Sequence, residues 1–271
     1  MRAGNDGAGA ILTFDNDWNF GTTLGGFVYG KTTNTSALTF SNTLATTGPI
    51  TIYAGNITHN TAFSTTSASG HISLLSKSHI VNSSATTITT QGGNVLFASN
   101  VDDATDGEST TNGYIQLRSG ITINSNGGNI TFGGGNTSGT EYALGSSNEA
   151  YTEGIRFDAV IALNSGGGNI SLRGKSYAMG VQTLWGASGV GFYFFSAATG
   201  TINSGIGTIT IDGYSQTNTS SYAAGFYCMH NLTITSANTT ANAIRLIGKA
   251  TGTSGEAWGI ETESIFSVLA T

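Results

Sequence analysis

A short phrase recurs along the chain, a small or turn residue followed by an apolar–x–apolar triplet. It occurs at Ile50-Thr51-Ile52, Ile72-Ser73-Leu74, Val95-Leu96-Phe97, Ile130-Thr131-Phe132, Ile170-Ser171-Leu172, Ile209-Thr210-Ile211 and Ile244-Arg245-Leu246. Alternation at period two puts one face of a strand in a core and the other in water. We name this strand b and expect an earlier copy in Ile11-Leu12-Thr13-Phe14. A second alternating segment, strand a, precedes it at Ile121-Thr122-Ile123, Ile161-Ala162-Leu163 and Leu232-Thr233-Ile234, with single anchors at Ile88 and Ile202. From Ile123 to Ile130, Leu163 to Ile170 and Ile202 to Ile209 the step is constant, across a Gly-rich connector. A third strand, c, is expected at a fixed distance before the second anchor of a. Ile115, Ile155 and Phe226 occupy that place, and Phe194 and Ile260 are assigned to it.

The unit is therefore c–a–b, followed by a connection of variable length. Fixed strand spacing with insertions at one corner describes a solenoid whose coils each add one strand to three parallel sheets. Coils stack at about 4.8 Å, so eight b strands make a rod of roughly 35–40 Å. A β-sandwich also has short, regularly spaced strands, but it does not repeat its connector lengths and corner chemistry copy after copy. The expectation is an all-β parallel solenoid forming one domain over residues 1–271.

Composition sharpens this picture. The chain holds 40 Gly and one Pro, is 9% charged, and is 10% aromatic. Disordered chains are charged, Pro-rich and poor in aromatics, so this one should fold. A net charge of −6 with nine Lys and Arg provides no clustered basic face for nucleic acid. Cys228 is alone, which excludes a disulfide scaffold. No apolar run approaches the roughly 20 residues of a membrane helix, so membrane insertion is not expected. Met1-Arg2-Ala3-Gly4-Asn5-Asp6 lacks the apolar region of a signal peptide; for an exported protein the signal would lie outside this sequence. A polar but weakly charged, cysteine-poor chain points to an extracellular, cell-surface setting.

The phrases Gly-Gly-Asn-Ile-Thr-Phe (127–132), Gly-Gly-Asn-Ile-Ser-Leu (167–172) and Gly-Thr-Ile-Thr-Ile (207–211) resemble the passenger repeats of large bacterial surface adhesins related to filamentous haemagglutinin. The resemblance implies a right-handed parallel β-helix of about eight three-strand coils with long loops on one edge. It also implies a non-catalytic stalk whose partner is a glycan or protein on a host or neighbouring cell. That family's secretion domain and its outer-membrane barrel or wall anchor have no counterpart in the sequence. Neither end offers a polar cap. The expectation is a slice of a longer rod or a subunit that associates end to end.

Candidate chemistry is sparse. Gly168 to Ser176 looks like a phosphate-binding loop, but five residues separate Gly168 from Gly174 where the motif needs four. Lys175 and Lys249 are accordingly read as solvated corner residues. Asp102, Asp103, Asp106 and Glu108 form an acidic cluster that, with Gly107, would suit calcium; its spacing matches no known calcium loop, and a solvated acidic loop is the competing reading. No other cofactor is implied. The outward b positions read Thr51, Ser73, Leu96, Thr131, Ser171, Thr210 and Arg245, without the paired carboxylates a glycosidase requires. His59, His71, His79 and His230 fall in different repeats, so no enzyme is expected. Leu96 and Arg245 also break the hydroxyl row that ice binding would use.

The long connections carry Tyr142, Tyr151, Tyr177, Trp185, Tyr214 and Tyr222 on one edge of the rod. Exposed aromatics there would stack on sugar rings or a protein partner; otherwise they fold back over the sheet edge. Phe157, Phe192, Phe194 and Phe226 are read as core stacks. The functional expectation is an extracellular adhesin segment, with a self-assembling filament subunit as the alternative and a carbohydrate-binding or ice-binding solenoid behind it.

Overall fold

Alternating triplets too short to bury a face alone must stack on their copies, and all three strand classes do so. A computed structural model describes residues 2–3, 12–14, 24–102, 113–146, 152–177, 189–216, 222–251 and 256–270. Sheet b runs in chain order through Arg2–Ala3, Phe27–Tyr29, Ile50–Ala54, Ile72–Ser76, Val95–Ser99, Ile130–Gly134, Ile170–Lys175, Ile209–Ser215 and Ile244–Ala250, with Ala143–Leu144 beside Ile170–Lys175. Sheet c runs through Leu12–Phe14, Leu38–Phe40, Ile57–His59, Ile80–Asn82, Ile115–Leu117, Ile155–Phe157, Val190–Phe194, Tyr222–Cys228 and Glu256–Thr262. Sheet a holds Leu44–Thr46, Phe63–Thr65, Thr86–Thr89, Ile121–Asn124, Ile161–Asn164, Gly200–Asn203, Leu232–Ser236 and Phe266–Ala270. Neighbouring strands in each sheet pair in parallel, and there is no helix among the described residues. The chain is a parallel β-solenoid of about eight coils.

Two expected strand assignments are corrected. Leu12–Phe14 belongs to sheet c, in register with Leu38–Phe40; the b strand before Ile50 is Phe27–Tyr29. Leu-Thr-Phe alternates like a b strand, whereas Phe27-Val28-Tyr29 hides its alternation behind an apolar middle residue. In sheet c, Phe192 rather than Phe194 pairs with Ile155 and Phe226. The turn spanning residues 195–199 is longer than its counterparts, so counting back from strand a lands two residues late.

The a-to-b corner shows why its spacing is constant. Asn126 and Gly166 hold the same corner place at φ 50° and 66°, followed by Gly127 at 110° and Gly167 at 129°. Those angles favour glycine and tolerate asparagine. A buried hydroxyl closes each turn. Ser125 Oγ donates to the Gly128 carbonyl at 2.6 Å, Ser165 Oγ to Gly168 at 2.5 Å, and Ser204 Oγ to Gly207 at 2.7 Å. Successive coils are then tied by side-chain amides. Asn94 Oδ1 accepts from the Asn129 N–H (2.9 Å), Asn129 Oδ1 from Asn169 (2.8 Å), and Asn169 Oδ1 from Thr208 (2.9 Å). The polar corner is thus satisfied within the stack.

Inside, aromatic rings touch from coil to coil. Phe27–Phe40 and Phe40–Phe63 meet edge to face at 6.2 and 5.2 Å. Phe97–Phe132, Phe157–Phe192 and Phe192–Phe226 continue the pile at 4.6, 5.4 and 5.1 Å. The four phenylalanines expected in the core are all buried. His59 joins the two stretches, 4.5 Å from Phe63 and 6.4 Å from Phe97. It is buried, and neither ring nitrogen has a hydrogen-bond partner.

Burial drives the His59 pKa from 6.5 down to about 3. The unfolded chain therefore binds the extra proton between those values. This contribution to stability is whole above pH 6.5 and is lost as pH falls toward 3. Replacing His59 with Phe, the residue beside it in sheet c at Phe40, removes a buried unsatisfied group worth about 1–3 kcal/mol. His59→Phe should raise the urea midpoint at pH 7. It should also reduce the loss of stability between pH 6 and 4. His79, lowered to about 4 mainly by burial and secondarily by Arg118, leaves some acid sensitivity behind. Urea titrations at both pH values test this, and an unchanged pH dependence would reject the assignment.

Candidate functional site on the b–c edge

Past the core, the later b and c strands lengthen into a two-layer flange. Ile209–Ser215 and Ile244–Ala250 run beyond the triplet on sheet b, and Tyr222–Cys228 and Glu256–Thr262 do so on sheet c. The layers cross where glycine meets glycine: Gly174 at Gly191, Gly213 at Gly225, and Gly248 at Gly259. A Cβ on Gly213 would overlap the Gly225 carbonyl. Glycine here gives proximity, since φ is not positive at these positions.

The outer side of sheet b beyond this crossing concentrates positive charge around one phenol ring. Lys175, Tyr214 and Lys249 occupy one register row across three adjacent strands. Lys175 Nζ lies 5.3 Å and Lys249 Nζ 4.5 Å from the Tyr214 centroid, a geometry in which a cation is attracted to the ring face. Tyr142 meets Tyr214 edge to face at 6.3 Å. Arg173, two residues before Lys175, donates from Nη1 to the Thr140 carbonyl at 2.6 Å. Arg245 is exposed on the row of Thr210. Lys175 is therefore not a solvated corner residue: it is 7% exposed. Its stem is packed and its charge rests on an aromatic ring, an arrangement legible only once the register is known.

A second polar strip crosses the outer face of sheet c. Gln116, Arg156, Tyr193, Tyr227 and Glu261 form one register row. Arg156 binds Asp158 at 2.5 Å and Glu153 at 3.1 Å, while Gln116 Nε2 donates to the other Asp158 oxygen at 2.6 Å. The Arg156 guanidinium also lies 5.4 Å from the Tyr193 centroid and 5.0 Å from that of Phe195. Tyr193 stacks on Tyr227 at 5.0 Å, and the Tyr227 hydroxyl donates to Glu263. Burial raises the Glu153 carboxyl to about 7 against the opposing pull of Arg156. Burial likewise raises the Tyr193 hydroxyl. Donors and acceptors in this strip are largely spent on one another, so it ties coils together and offers Phe195, 38% exposed, at its margin. These carboxylates flank the sheet c strand Ile155–Phe157, away from the outward row Thr51 to Arg245 of sheet b.

The remaining candidates separate. Among the edge aromatics, Tyr142 and Tyr214 are brought together. Tyr177 is half-buried, its N–H donating to the Thr152 carbonyl at 2.9 Å. Tyr151, Trp185 and the side chain of Tyr222 lie outside the described residues. Of the acidic cluster, Asp102 pairs with Lys77 at 3.1 Å, and Asp103, Asp106 and Glu108 lie outside the described residues. Among the described residues no group of three or more His, Cys, Asp or Glu is placed to hold a metal ion. Burial pushes the Cys228 thiol up to about 12, which keeps it protonated and unreactive. No family model, curated protein or solved structure matches the chain.

Proposed function

We propose that the chain is an extracellular, non-catalytic stalk of the bacterial adhesin type, and that it meets glycan or protein partners through its b–c edge. The supporting observation is the one-sidedness of the rod. The eight strands of sheet a and the connections from them to sheet b carry no Asp, Glu, Lys or Arg. Charge lies instead on sheets b and c and on the connections that follow them, and the exposed aromatics Phe195 and Trp258 lie on or beside sheet c. A rigid scaffold with its chemistry gathered on loop-bearing strands is suited to presenting a binding edge. The purified chain should sediment as a monomer and bind a subset of an immobilised glycan array or fixed cells. A monomer that binds neither would overturn this reading.

A further inference from the structure

We propose that the outer face of sheet b, from Arg245 to the flange that carries Arg173, Tyr142, Tyr214 and Lys249, binds a linear polyuronate, a saccharide chain bearing regularly spaced carboxylates. This rests on the reading of the protein as an extracellular surface binder and names the ligand class of its edge.

Four of the nine Lys and Arg of the chain fall on Ile170–Lys175 and Ile244–Ala250, separated by the strand that carries Tyr214. Lys77 pairs with Asp102, and Arg156 with Glu153 and Asp158; among the described residues Arg173, Arg245 and Lys249 have no ion-pair partner. In a chain of net charge −6, these three cations on one face contrast with the spent charges of sheet c. Asp212 is the acid within the group, 8% exposed and beside Arg173 in register. Glu141, its backbone paired with Gly134, adjoins the group from the connection that carries Tyr142.

Spacing selects the ligand. The two cation-bearing strands are two coils apart, about 10 Å, and Arg245 and Lys249, four residues apart on one strand, are separated by about 13 Å. A small anion would meet one cation at a time, whereas a polymer with repeating carboxylates meets several and gains effective concentration from each. The guanidinium fork matches the coplanar oxygens of a carboxylate. Tyr142 and Tyr214, both half-buried, add aromatic area beside the charges. The patch spans too little of the rod, on too acidic a chain, to track a nucleic-acid backbone.

The test is titration calorimetry of the whole chain with polygalacturonate at low salt, with neutral dextran and dextran sulfate as comparisons. Saturable binding to polygalacturonate and none to dextran is expected. The double variant Arg245→Gln/Lys249→Gln, both sites exposed, should bind at least tenfold more weakly while melting at the wild-type temperature. Lys249→Arg should retain binding. Absence of polygalacturonate binding by a chain that still binds cells or other glycans would overturn this proposal alone. Indifference to the double variant, or equal affinity for dextran sulfate with the same salt dependence, would overturn it too. A chain that binds no surface and no glycan removes the underlying reading as well.

Discussion

Gly213→Val should cost the protein at least about 3 kcal/mol, the upper range for forcing atoms into a packed site, and lower the melting temperature by roughly 6–12 °C. The added side chain would have to occupy space already filled by the Gly225 backbone. No rotamer relieves that, because the clash begins at Cβ. Relief requires prying sheets b and c apart, and their register is fixed by pairing with the coils on both sides. Gly120→Ala is the matched control. Its Cβ would come no closer than 3.8 Å to the Val160 carbonyl oxygen, so it should change stability by less than about 0.5 kcal/mol. Thermal melts followed by circular dichroism compare the two. If Gly213→Val melts with the control, the layers at the crossing are not in contact as described.

Phe192→Ala should cost about 3–5 kcal/mol, the range for truncating a buried aromatic. Phe192 is fully buried between Phe157 and Phe226 at 5.4 and 5.1 Å. Its removal leaves a void bordered by two rings that cannot close on it, since each is held by its own coil. Phe195→Ala, three residues on, removes a ring already 38% exposed and lying over Arg156; it should cost under about 1 kcal/mol. Guanidinium titration of both variants gives the comparison. Equal losses would mean that the ring pile is not the main support of these coils.

The contrast between these two phenylalanines also shows what a sequence can disclose about such a fold. Phe192 and Phe195 stand in one run, Phe192-Tyr193-Phe194-Phe195, and period two separates inward from outward. The spacing from strand a then fails, because an insertion between c and a shifts the count without changing the pattern. The places of Ile130, Ile170 and Ile209 are legible because their corner is made of local contacts: a hydroxyl, a turn and a glycine. Local chemistry leaves a local signature.

The flange leaves none. Lys175, Tyr214 and Lys249 are far apart in sequence and meet only through inter-coil register. Taken singly, Lys175 and Lys249 read as solvated corner residues and Tyr214 as one of several edge aromatics. Arg156 and Asp158 leave no signature for the same reason: one charge lies in a short strand and the other just past it, and their partners Gln116 and Tyr193 belong to neighbouring coils.

Placing insertions chiefly at the b–c corner has a kinetic consequence. Successive b anchors lie 22 or 23 residues apart between Ile50 and Val95 and 35 to 40 apart from Val95 onward. The entropy of closing a loop grows only with the logarithm of its length. The longer coils are thus harder to close by only about 0.5 kcal/mol each. Each coil needs only its neighbour as a template, so folding can start wherever closure is easiest and spread outward. The compact coils between Phe27 and Phe97 are the favoured starting point. The more elaborate coils can then zip onto a finished edge, their loops searching while the rod beneath them is already built.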